Sequence, residues 1–589
     1  MLTALPILVL MASPPTPTQP VVAAGERSLV SVRWLESSRP SVRVEEPLRW
    51  VDGVPTKRTR WFDAATGVEL LRREHVVGVH GRVLPTNPIS TPEPVLVPLE
   101  GVEGPGMLDD DWQVWGCSAE PISPALGTRV AGTCYPRRLA EPNAAGNYEP
   151  DLPGIDFEAS GPIVDDAYAE LAVYHHARTF EVWREQWEDA AADRCPHGIV
   201  QTNFVRLEST GFRPVDGAYY TGSCEADTPR FVFGQGAAVD YAYDADVVHH
   251  ELAHGVVDDI TASGLWRQSC DEVSCGAEAR AINEGIADFI AASINGDAHI
   301  GEYVVGDATA GIRNLDEGLR CPDDLEGDPY HDSQILSGAL WSARQRVGER
   351  LDGAIMATVA SLSEDARFED FVRVISEVAA QQLGDADQQA LALAMDDAGL
   401  SGCVHVRPVV PGDDVVLVAR PVGVSSPWPG PVQLRYEVPD GMRRAELLLR
   451  ASAAFPRSAD AGAELPDEAG VVVWIGDADP VALDQHEDAQ GRLRIEPSDG
   501  REVELVADAD GLMRLVVDVP PGAGALHLVF ANPLPHIDIR LEVVDSTPLL
   551  DGVSGCRFNR RPSSPWLVLT PLVVALLSAW RTRERMHPR

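Results

Sequence analysis

Apolar residues recur at intervals of three and four in two segments near the middle of the chain. The first segment has Val247, Val248, Leu252, Ala253, Val256 and Val257 at these intervals, and the second has Ile282, Ile286, Phe289 and Ile290. Such spacing is typical of amphipathic helices. Asp244 or Asp246 is placed to cap the first helix, because aspartate is favoured at a helix N-terminus. Segments 168–176 and 333–347 also have a helical pattern.

Short alternating runs of apolar and polar residues lie on both sides of this helical region. Residues 25–75 are β-rich, and 60–71 predicts two strands around a turn. Residues 76–154 are rich in proline and glycine, which predicts an irregular β-rich part. Proline and glycine within 406–430 predict a linker, and the alternation over 431–548 predicts an antiparallel β-sandwich. We therefore expect an α+β protein with a mixed β lobe, a mainly α-helical lobe and a C-terminal β-sandwich.

The first predicted helix carries an HExxH motif formed by His250, Glu251 and His254. Residues four apart share one face of a helix, so both imidazoles can bind one zinc ion at about 2.0–2.1 Å. Glu251 lies about 100° around the helix from His250, where its carboxylate can accept a proton from a water bound to the metal. The motif alone occurs by chance about as often as it marks a metal site.

The second predicted helix supplies carboxylates at the spacing that such a site requires. Glu284 and Asp288 are four residues apart and share one face. Glu284 is the candidate third ligand, and Asp288 is placed to accept the second N–H of His250. The alternative is that both carboxylates form a solvated helix edge. Gly285 argues against this alternative, because glycine inside a helix costs about 1 kcal/mol and usually has a packing or functional reason.

The two motifs together resemble those of the thermolysin and fungalysin clan of zinc endopeptidases, the gluzincins. The resemblance extends over residues 155–400 and includes 231–236 and 240–248, which are similar to the strand and turn before the first zinc helix of that clan. It implies a thermolysin-like fold, zinc as the cofactor and Glu251 as the general base for peptide hydrolysis. Residues 216–220 resemble the edge strand that pairs with substrate, which implies substrate contacts at Ala218 and Tyr219.

A further segment, 329–341, resembles the part of these enzymes that carries a histidine donating a hydrogen bond to the oxyanion. The resemblance implies this role for His331, with Asp328 or Asp332 as its carboxylate partner. The alternative is a surface histidine at the start of a helix.

Cysteine usage predicts an oxidising compartment. Eight of the nine cysteines precede the C-terminal tail, none forms a C-x-x-C pair, and an even number suits disulfides. Joining sequence neighbours would pair Cys117 with Cys134, Cys195 with Cys224, Cys270 with Cys275 and, over a longer separation, Cys321 with Cys403, although the sequence alone leaves the connectivity open. The third pair would pin an insertion, since the segment between His254 and Glu284 is longer than in thermolysin.

Both ends of the chain have the composition of targeting segments. Residues 1–24 contain an apolar run followed by small residues, which predicts a secretory signal. Residues 549–589 contain Cys556, an apolar run over 566–580 and an arginine cluster. That run is shorter than the roughly 20 residues of a spanning helix, and the arrangement resembles bacterial C-terminal sorting tags, with a membrane anchor as the alternative. We expect a secreted protein retained at the cell surface or outer membrane.

A net charge of −42 makes nucleic acid an unfavourable partner, because its phosphates would be repelled. Some of the acidic residues could bind structural Ca²⁺, which takes oxygen ligands, but no D-x-D-x-D-G loop identifies them.

Together these features predict a zinc-dependent endopeptidase acting on extracellular proteins or peptides. Residues 155–405 would form its catalytic core, and 25–75 resemble the last hairpin of the pro-domains that precede such enzymes. Two alternatives stay open, namely a catalytically inactive homologue that binds protein and a surface adhesion protein acting through the β-sandwich.

Overall fold

A computed structural model describes residues 26–549 apart from gaps within this range. The gaps are 35–36, 46–48, 52–53, 77–78, 103–105, 110, 119–134, 154–165, 188–197, 209–210, 223–229, 262–263, 268, 272, 455–469, 478, 499 and 509–510. The predicted secretory signal, 1–24, and all but the first residue of the predicted tail lie outside the described residues. Cys134, Cys195 and Cys224 do too, so two of the predicted disulfides stay predictions.

The described chain is a mixed α+β structure in which a central helical region is flanked by β-sheets, as the sequence predicts. Its first five strands form an antiparallel sheet: β1 (Glu26–Trp34), β2 (Ser37–Glu45), β3 (Arg49–Val51), β4 (Val54–Asp63) and β5 (Glu69–Val76). The turn predicted within 60–71 joins β4 to β5, with the Asp63 side chain accepting hydrogen bonds from the N–H groups of Ala65 and Thr66.

A second sheet of mixed direction leads into the helices. The next strands are β6 (His80–Val83), β7 (Val95–Pro98), β8 (Trp112–Ser118), β9 (Tyr135–Arg137), β10 (Gly198–Phe204), β11 (Arg206–Glu208), β12 (Gly211–Arg213), β13 (Ala218–Tyr220) and β14 (Phe231–Gly234). Five of them pair in the order β13-β14-β10-β8-β9. Within the described residues β13 is therefore an edge strand, paired antiparallel with β14 only.

Eight α-helices are described in the helical region. They are α1 (Ala167–Arg184), α2 (Ala245–Ile260), α3 (Glu278–Asn295), α4 (Glu302–Val305), α5 (Pro329–Val347), α6 (Arg350–Val359), α7 (Phe368–Gln382) and α8 (Asp385–Asp397). Two hairpin-like pairs of short strands lie between them, β15 (Ser269–Cys270) with β16 (Cys275–Gly276) and β17 (His299–Ile300) with β18 (Arg313–Asn314). A single hydrophobic core joins the second sheet to the helices, which gives the site a rigid frame.

The C-terminal part consists of mainly antiparallel sheets. Its strands are β19 (Val406–Pro408), β20 (Asp414–Leu417), β21 (Trp428–Pro429), β22 (Gln433–Glu437), β23 (Arg444–Ala454), β24 (Gly470–Asp477), β25 (Leu483–Glu487), β26 (Leu493–Pro497), β27 (Arg501–Val506), β28 (Leu512–Asp518), β29 (Ala525–Asn532) and β30 (Asp538–Leu549). Apolar side chains of the six-stranded and four-stranded sheets share one core. The stretch predicted as a linker, 406–430, contributes β19, β20 and β21 to these sheets.

Two predicted disulfides are present. One joins Cys270 to Cys275, inside the insertion between α2 and α3. The other joins Cys321, which precedes α5, to Cys403, which follows α8. No helix in the described ranges is long and apolar enough to cross a membrane.

Candidate metal centre

Helices α2 and α3 bring the two sequence motifs together. Asp244 caps α2 by accepting a hydrogen bond from the N–H of Asp246 at 3.1 Å, as the sequence predicts. Gly285 lets α3 lie close to α5, because a Cβ added there would be 2.8 Å from the Ser333 carbonyl oxygen. Close packing of the two helices therefore explains the glycine at position 285. This face of α3 is buried and is not a helix edge exposed to solvent.

Three ligand atoms converge where these helices meet. Nε2 of His250 and Nε2 of His254 are 3.1 Å apart, and Oε2 of Glu284 lies 3.2 Å from the first nitrogen and 3.5 Å from the second. All three side chains are buried. Four ligands around zinc at about 2.05 Å would be separated by about 3.3 Å in a tetrahedral site. The observed separations fit three corners of such a site.

The other ring nitrogens fix which atoms carry protons. Nδ1 of His250 lies 2.9 Å from Oδ1 of Asp288, and Nδ1 of His254 lies 2.7 Å from Oδ1 of Asn283. Since both partners are acceptors, each Nδ1 donates its hydrogen and each Nε2 of a neutral ring keeps a lone pair. Two lone pairs and a carboxylate oxygen then face one another, and only a positive charge between them can relieve the repulsion.

Glu284 provides a second sign that a cation belongs here. Its Oε2 is buried and, while both imidazoles are neutral, has no hydrogen-bond donor among the described residues. A buried carboxylate oxygen without a partner costs free energy that a bound cation would offset. The donor set of two imidazoles and one carboxylate is also the set that zinc accepts in catalytic sites. His250, His254 and Glu284 therefore fit a zinc ion.

The pKa values of His250 and Glu284 also favour a positive charge between these side chains. Burial lowers the pKa of His250, but the carboxylates of Asp288 and Glu284 outweigh burial and raise this pKa to about 9. Burial would raise the pKa of Glu284, but His254 and His250 hold it well below its usual value. In the metal-free protein a proton on His250 would thus take the place of the cation.

Arg313 completes the support behind His250. Its Nε and one terminal nitrogen donate to the two carboxylate oxygens of Asp288, each at 2.7 Å. This bidentate pair keeps Asp288 ionised, because the arginine charge lowers its pKa against the opposing effect of burial. Asp288 therefore stays an acceptor for His250, as the sequence predicts. Arg313 comes from the two-residue strand β18, which the sequence pattern does not reveal.

Glu251 lies beside the three ligand atoms and lines the same cleft. Its side chain is buried, and burial raises the pKa of its carboxyl although His250 and His254 oppose this. A carboxylate with a raised pKa is a better proton acceptor near neutral pH than an exposed one. Glu251 thus has the position and the chemistry of a general base.

An open cleft of about 320 Å³ leads to this group. The residues that line it are Ala218, Tyr219, Tyr220, Tyr241, Val247, His250, Glu251, His254, Trp266, Arg280, Glu284, Ile300, Ile312, Arg313 and Tyr330. Ala218 and Tyr219 are therefore at the cleft, where the sequence predicts them. Trp266 comes from the insertion between α2 and α3, and its ring centroid is 5.5 Å from that of His254. The insertion thus forms part of the cleft wall.

His331 is not among the residues that line this cleft, and the role predicted for it stays a prediction. It lines a separate cavity together with Asp323, Glu326 and Arg407. Its Nδ1 lies 3.4 Å from Oδ1 of Asp332. The reason lies in the helix: neighbouring residues project about 100° apart, and at the start of α5 it is Tyr330 that faces the cleft.

Asp328 is the N-cap of α5 instead of a partner for the His331 ring. Its Oδ1 accepts hydrogen bonds from the backbone N–H of Tyr330 at 2.8 Å and of His331 at 3.4 Å. Of the two carboxylates predicted as partners of His331, Asp332 is the one near the ring. Asp328 fixes the start of the helix that carries Tyr330.

A second group of buried carboxylates could also hold a metal ion. One oxygen from each of Asp244, Asp246 and Glu302 lies within 4.8 Å of the others. Oδ2 of Asp244 and Oε2 of Glu302 have no hydrogen-bond donor among the described residues. Burial and the charge of Glu302 raise the pKa of Asp244 to about 7. Sequence spacing does not reveal this group, because Glu302 lies far along the chain from the other two.

No protein-family model matches this chain, and no curated protein matches it.

Proposed function

We propose that this chain is a zinc-dependent endopeptidase. The observation that supports this most directly is the convergence of His250, His254 and Glu284, with separations of 3.1 to 3.5 Å between ligand atoms, next to Glu251 in an open cleft. The order of the motifs along the chain resembles the thermolysin and fungalysin clan, and a thermolysin-like fold is part of the proposal. The two disulfides suit an oxidising compartment, which supports an extracellular location.

Glu251 carries the proton transfers of the proposed reaction. A zinc ion bound by His250, His254 and Glu284 would supply Lewis acidity, which lowers the pKa of water from 15.7 to about 7. Glu251 accepts a proton from the attacking water as the new C–O bond forms at the peptide carbonyl. It then gives that proton to the amine nitrogen as the C–N bond breaks, so that the carboxylate is regenerated.

The edge strand β13 offers the substrate a backbone to pair with. The N–H of Thr221 bonds to the carbonyl of Arg230, and the carbonyl of Gly217 accepts from the N–H of Gly234. Hydrogen-bonded and non-hydrogen-bonded pairs alternate in an antiparallel ladder. The backbone groups of Ala218 and Tyr220 therefore point away from β14, and an extended peptide can add to them as a further strand.

We further propose that Asp244, Asp246 and Glu302 hold a structural Ca²⁺. Three carboxylates and no basic ligand suit a hard cation that prefers oxygen. Such an ion would tie the first turn of α2 to α4, which follows α3, and would stabilise the two helices that carry the zinc ligands.

The proposed activity is tested by digesting casein and a peptide library with the purified chain. We expect internal peptide bonds to be cleaved, cleavage to stop after chelation, and added zinc to restore it. Glu251→Gln should lose at least 100-fold in kcat, as expected for removal of a general base, and should keep its zinc. Glu487→Gln, an exposed residue of β25, is the matched control and should cleave at the parent rate.

Two outcomes would contradict the proposal. A parent protein that binds zinc but cleaves no peptide would favour an inactive homologue that binds protein. A Glu251→Gln variant that cleaves casein at the parent rate would show that another group is the base.

A further inference from the structure

Tyr330 and Arg280 form a hydrogen-bonded pair on the cleft wall beside Glu284. A terminal nitrogen of Arg280 donates to the phenol oxygen of Tyr330 at 2.6 Å, and the guanidinium carbon lies 5.0 Å from the centre of its ring. Arg280 is one helical turn before Glu284 on α3, with its Nε 3.8 Å from Oε1 of that carboxylate. The pair is therefore fixed to the helix that supplies the third metal ligand.

The pair leaves the phenol hydrogen of Tyr330 available to the cleft. Because the oxygen accepts from Arg280, the hydrogen of Tyr330 must point elsewhere. The ordinary pKa of a tyrosine is about 10, so the phenol keeps its proton at neutral pH. When the oxygen of a neutral phenol already accepts a hydrogen bond, its own O–H is oriented toward a different acceptor.

The backbone holds Tyr330 firmly in this position. Asp328 accepts its N–H at 2.8 Å, and Ser333 in the same turn lies against Gly285 of α3. Ser333 also donates its hydroxyl to the Tyr330 carbonyl at 2.9 Å. These contacts orient the start of α5, with Tyr330 at the cleft and the neighbouring His331 at the separate cavity.

We propose that Tyr330 donates a hydrogen bond to the oxygen of the scissile carbonyl as that oxygen becomes an oxyanion, and that Arg280 positions the phenol. This inference rests on the proposed peptidase function. As the water oxygen bonds to the carbonyl carbon, the C=O electron pair moves to oxygen, which accepts the Tyr330 hydrogen bond. When the C–N bond breaks, the pair returns to form the carbonyl. Tyr330 keeps its proton throughout.

The experiment compares Tyr330→Phe with the parent in kcat, KM, zinc content and affinity for a phosphonate peptide, whose tetrahedral phosphorus mimics the oxyanion. Removing one oxyanion donor costs about 10²–10³ in kcat, and a transition-state mimic should lose affinity by a similar factor. We expect this loss with KM changed less than threefold and zinc content unchanged. Tyr436→Phe in β22, outside the cleft, is the control for loss of a phenol hydroxyl.

Two further variants separate positioning from chemistry. Arg280→Met should lower kcat by about tenfold, because it removes only the group that orients the phenol. Its affinity for the phosphonate peptide should fall by a similar factor. His331→Ala should leave phosphonate affinity at the parent value, because its ring lies in another cavity. If the Tyr330→Phe protein failed to retain zinc, the Tyr330→His variant would test the role of Tyr330 instead. Histidine restores a hydrogen-bond donor, so its kcat should be at least tenfold higher than that of Tyr330→Phe.

The outcomes are distinguishable from failure of the proposed function. If the parent cleaves no peptide, the peptidase proposal fails and this one with it. If the parent is active and Tyr330→Phe binds the phosphonate and turns over at parent values, only the role of Tyr330 is overturned. If His331→Ala shows the loss instead, the donor is His331.

Discussion

Each histidine of the candidate metal centre is held in place by a hydrogen bond from its second ring nitrogen, Nδ1. Asp288 accepts from Nδ1 of His250, and Arg313 binds Asp288 through two hydrogen bonds. A ring oriented in this way needs no reordering when a cation binds, and the negative charge behind it makes the free nitrogen a stronger donor to metal. We therefore expect the affinity of the site for a metal ion to depend on residues that do not bind the ion themselves.

Replacing Asp288 with asparagine tests this dependence. The variant leaves the guanidinium of Arg313 without its carboxylate, and we expect zinc affinity to fall 10- to 100-fold. The measurement is a zinc titration against a competing chelator, with Asp316→Asn as the control because Asp316 is exposed and only three residues from Arg313. Equal affinities of parent and Asp288→Asn would mean that the contact does not support the metal.

At the residue scale, the sequence predicts the ligands better than it predicts their surroundings. His250, His254, Glu284 and Asp288 are recoverable because helical periodicity fixes which residues share a face. Tyr330 and His331 are neighbours at a helix start, and no periodicity decides which of them faces the cleft.

At the scale of elements, α3 is tied to the helices and strands that follow it. Oε1 of Glu278, in the first turn of α3, lies 3.1 Å from Nε2 of His405 and also binds the guanidinium of Arg367. Its Oε2 accepts the N–H of Phe368 at 3.0 Å, at the start of α7. Glu278 thus links the helix that carries Glu284 to α7 and to the segment that enters β19.

This link predicts a pH dependence of stability. Burial raises the pKa of Glu278, but His405 and Arg367 outweigh burial and lower this pKa from 4.5 to about 2. A group with a lowered pKa in the folded state stabilises that state above pH 4.5, and the contribution is lost as the pH falls toward 2. At 1.36 kcal/mol per pKa unit the contribution is about 3 kcal/mol at neutral pH.

We therefore expect Glu278→Gln to lower the free energy of unfolding by about 3 kcal/mol at pH 7 and by less than half of that at pH 3. Urea unfolding at both pH values measures the difference. The control is Glu369→Gln, an exposed residue in the first turn of α7. A difference that is the same at both pH values would contradict the assignment of this carboxylate.

The elements themselves could be predicted to different degrees. Helices α2 and α3 follow from long periodic runs, and the β4–β5 turn follows from its short alternating strands. The strands within 406–430 are only two to four residues long and rich in proline and glycine, so local composition resembles a linker. Their pairing with β22, β29 and β30 is set by contacts distant in the chain, which a single sequence does not encode locally.

At the scale of the whole molecule, the C-terminal sheets contact the insertion that borders the cleft. The side-chain amide of Gln433 donates to the carbonyl of Val273 at 2.7 Å, and that of Gln485 donates to the carbonyl of Cys270 at 3.1 Å. Cys275 is buried in one hydrophobic cluster with Trp428 and Trp474. Since Trp266 of the same insertion lines the cleft, these sheets support the cleft wall.

The proposed activity depends on a cation bound between α2 and α3. The most direct test is the zinc content per chain after dialysis in calcium-containing buffer, measured by atomic emission for the parent, for Glu284→Gln and for the control Glu317→Gln, an exposed residue. We predict one zinc ion per chain in the parent and the control, and less than a tenth of that in Glu284→Gln. A parent that retains no zinc, or a Glu284→Gln variant that retains as much as the parent, would show that these residues do not form a zinc site.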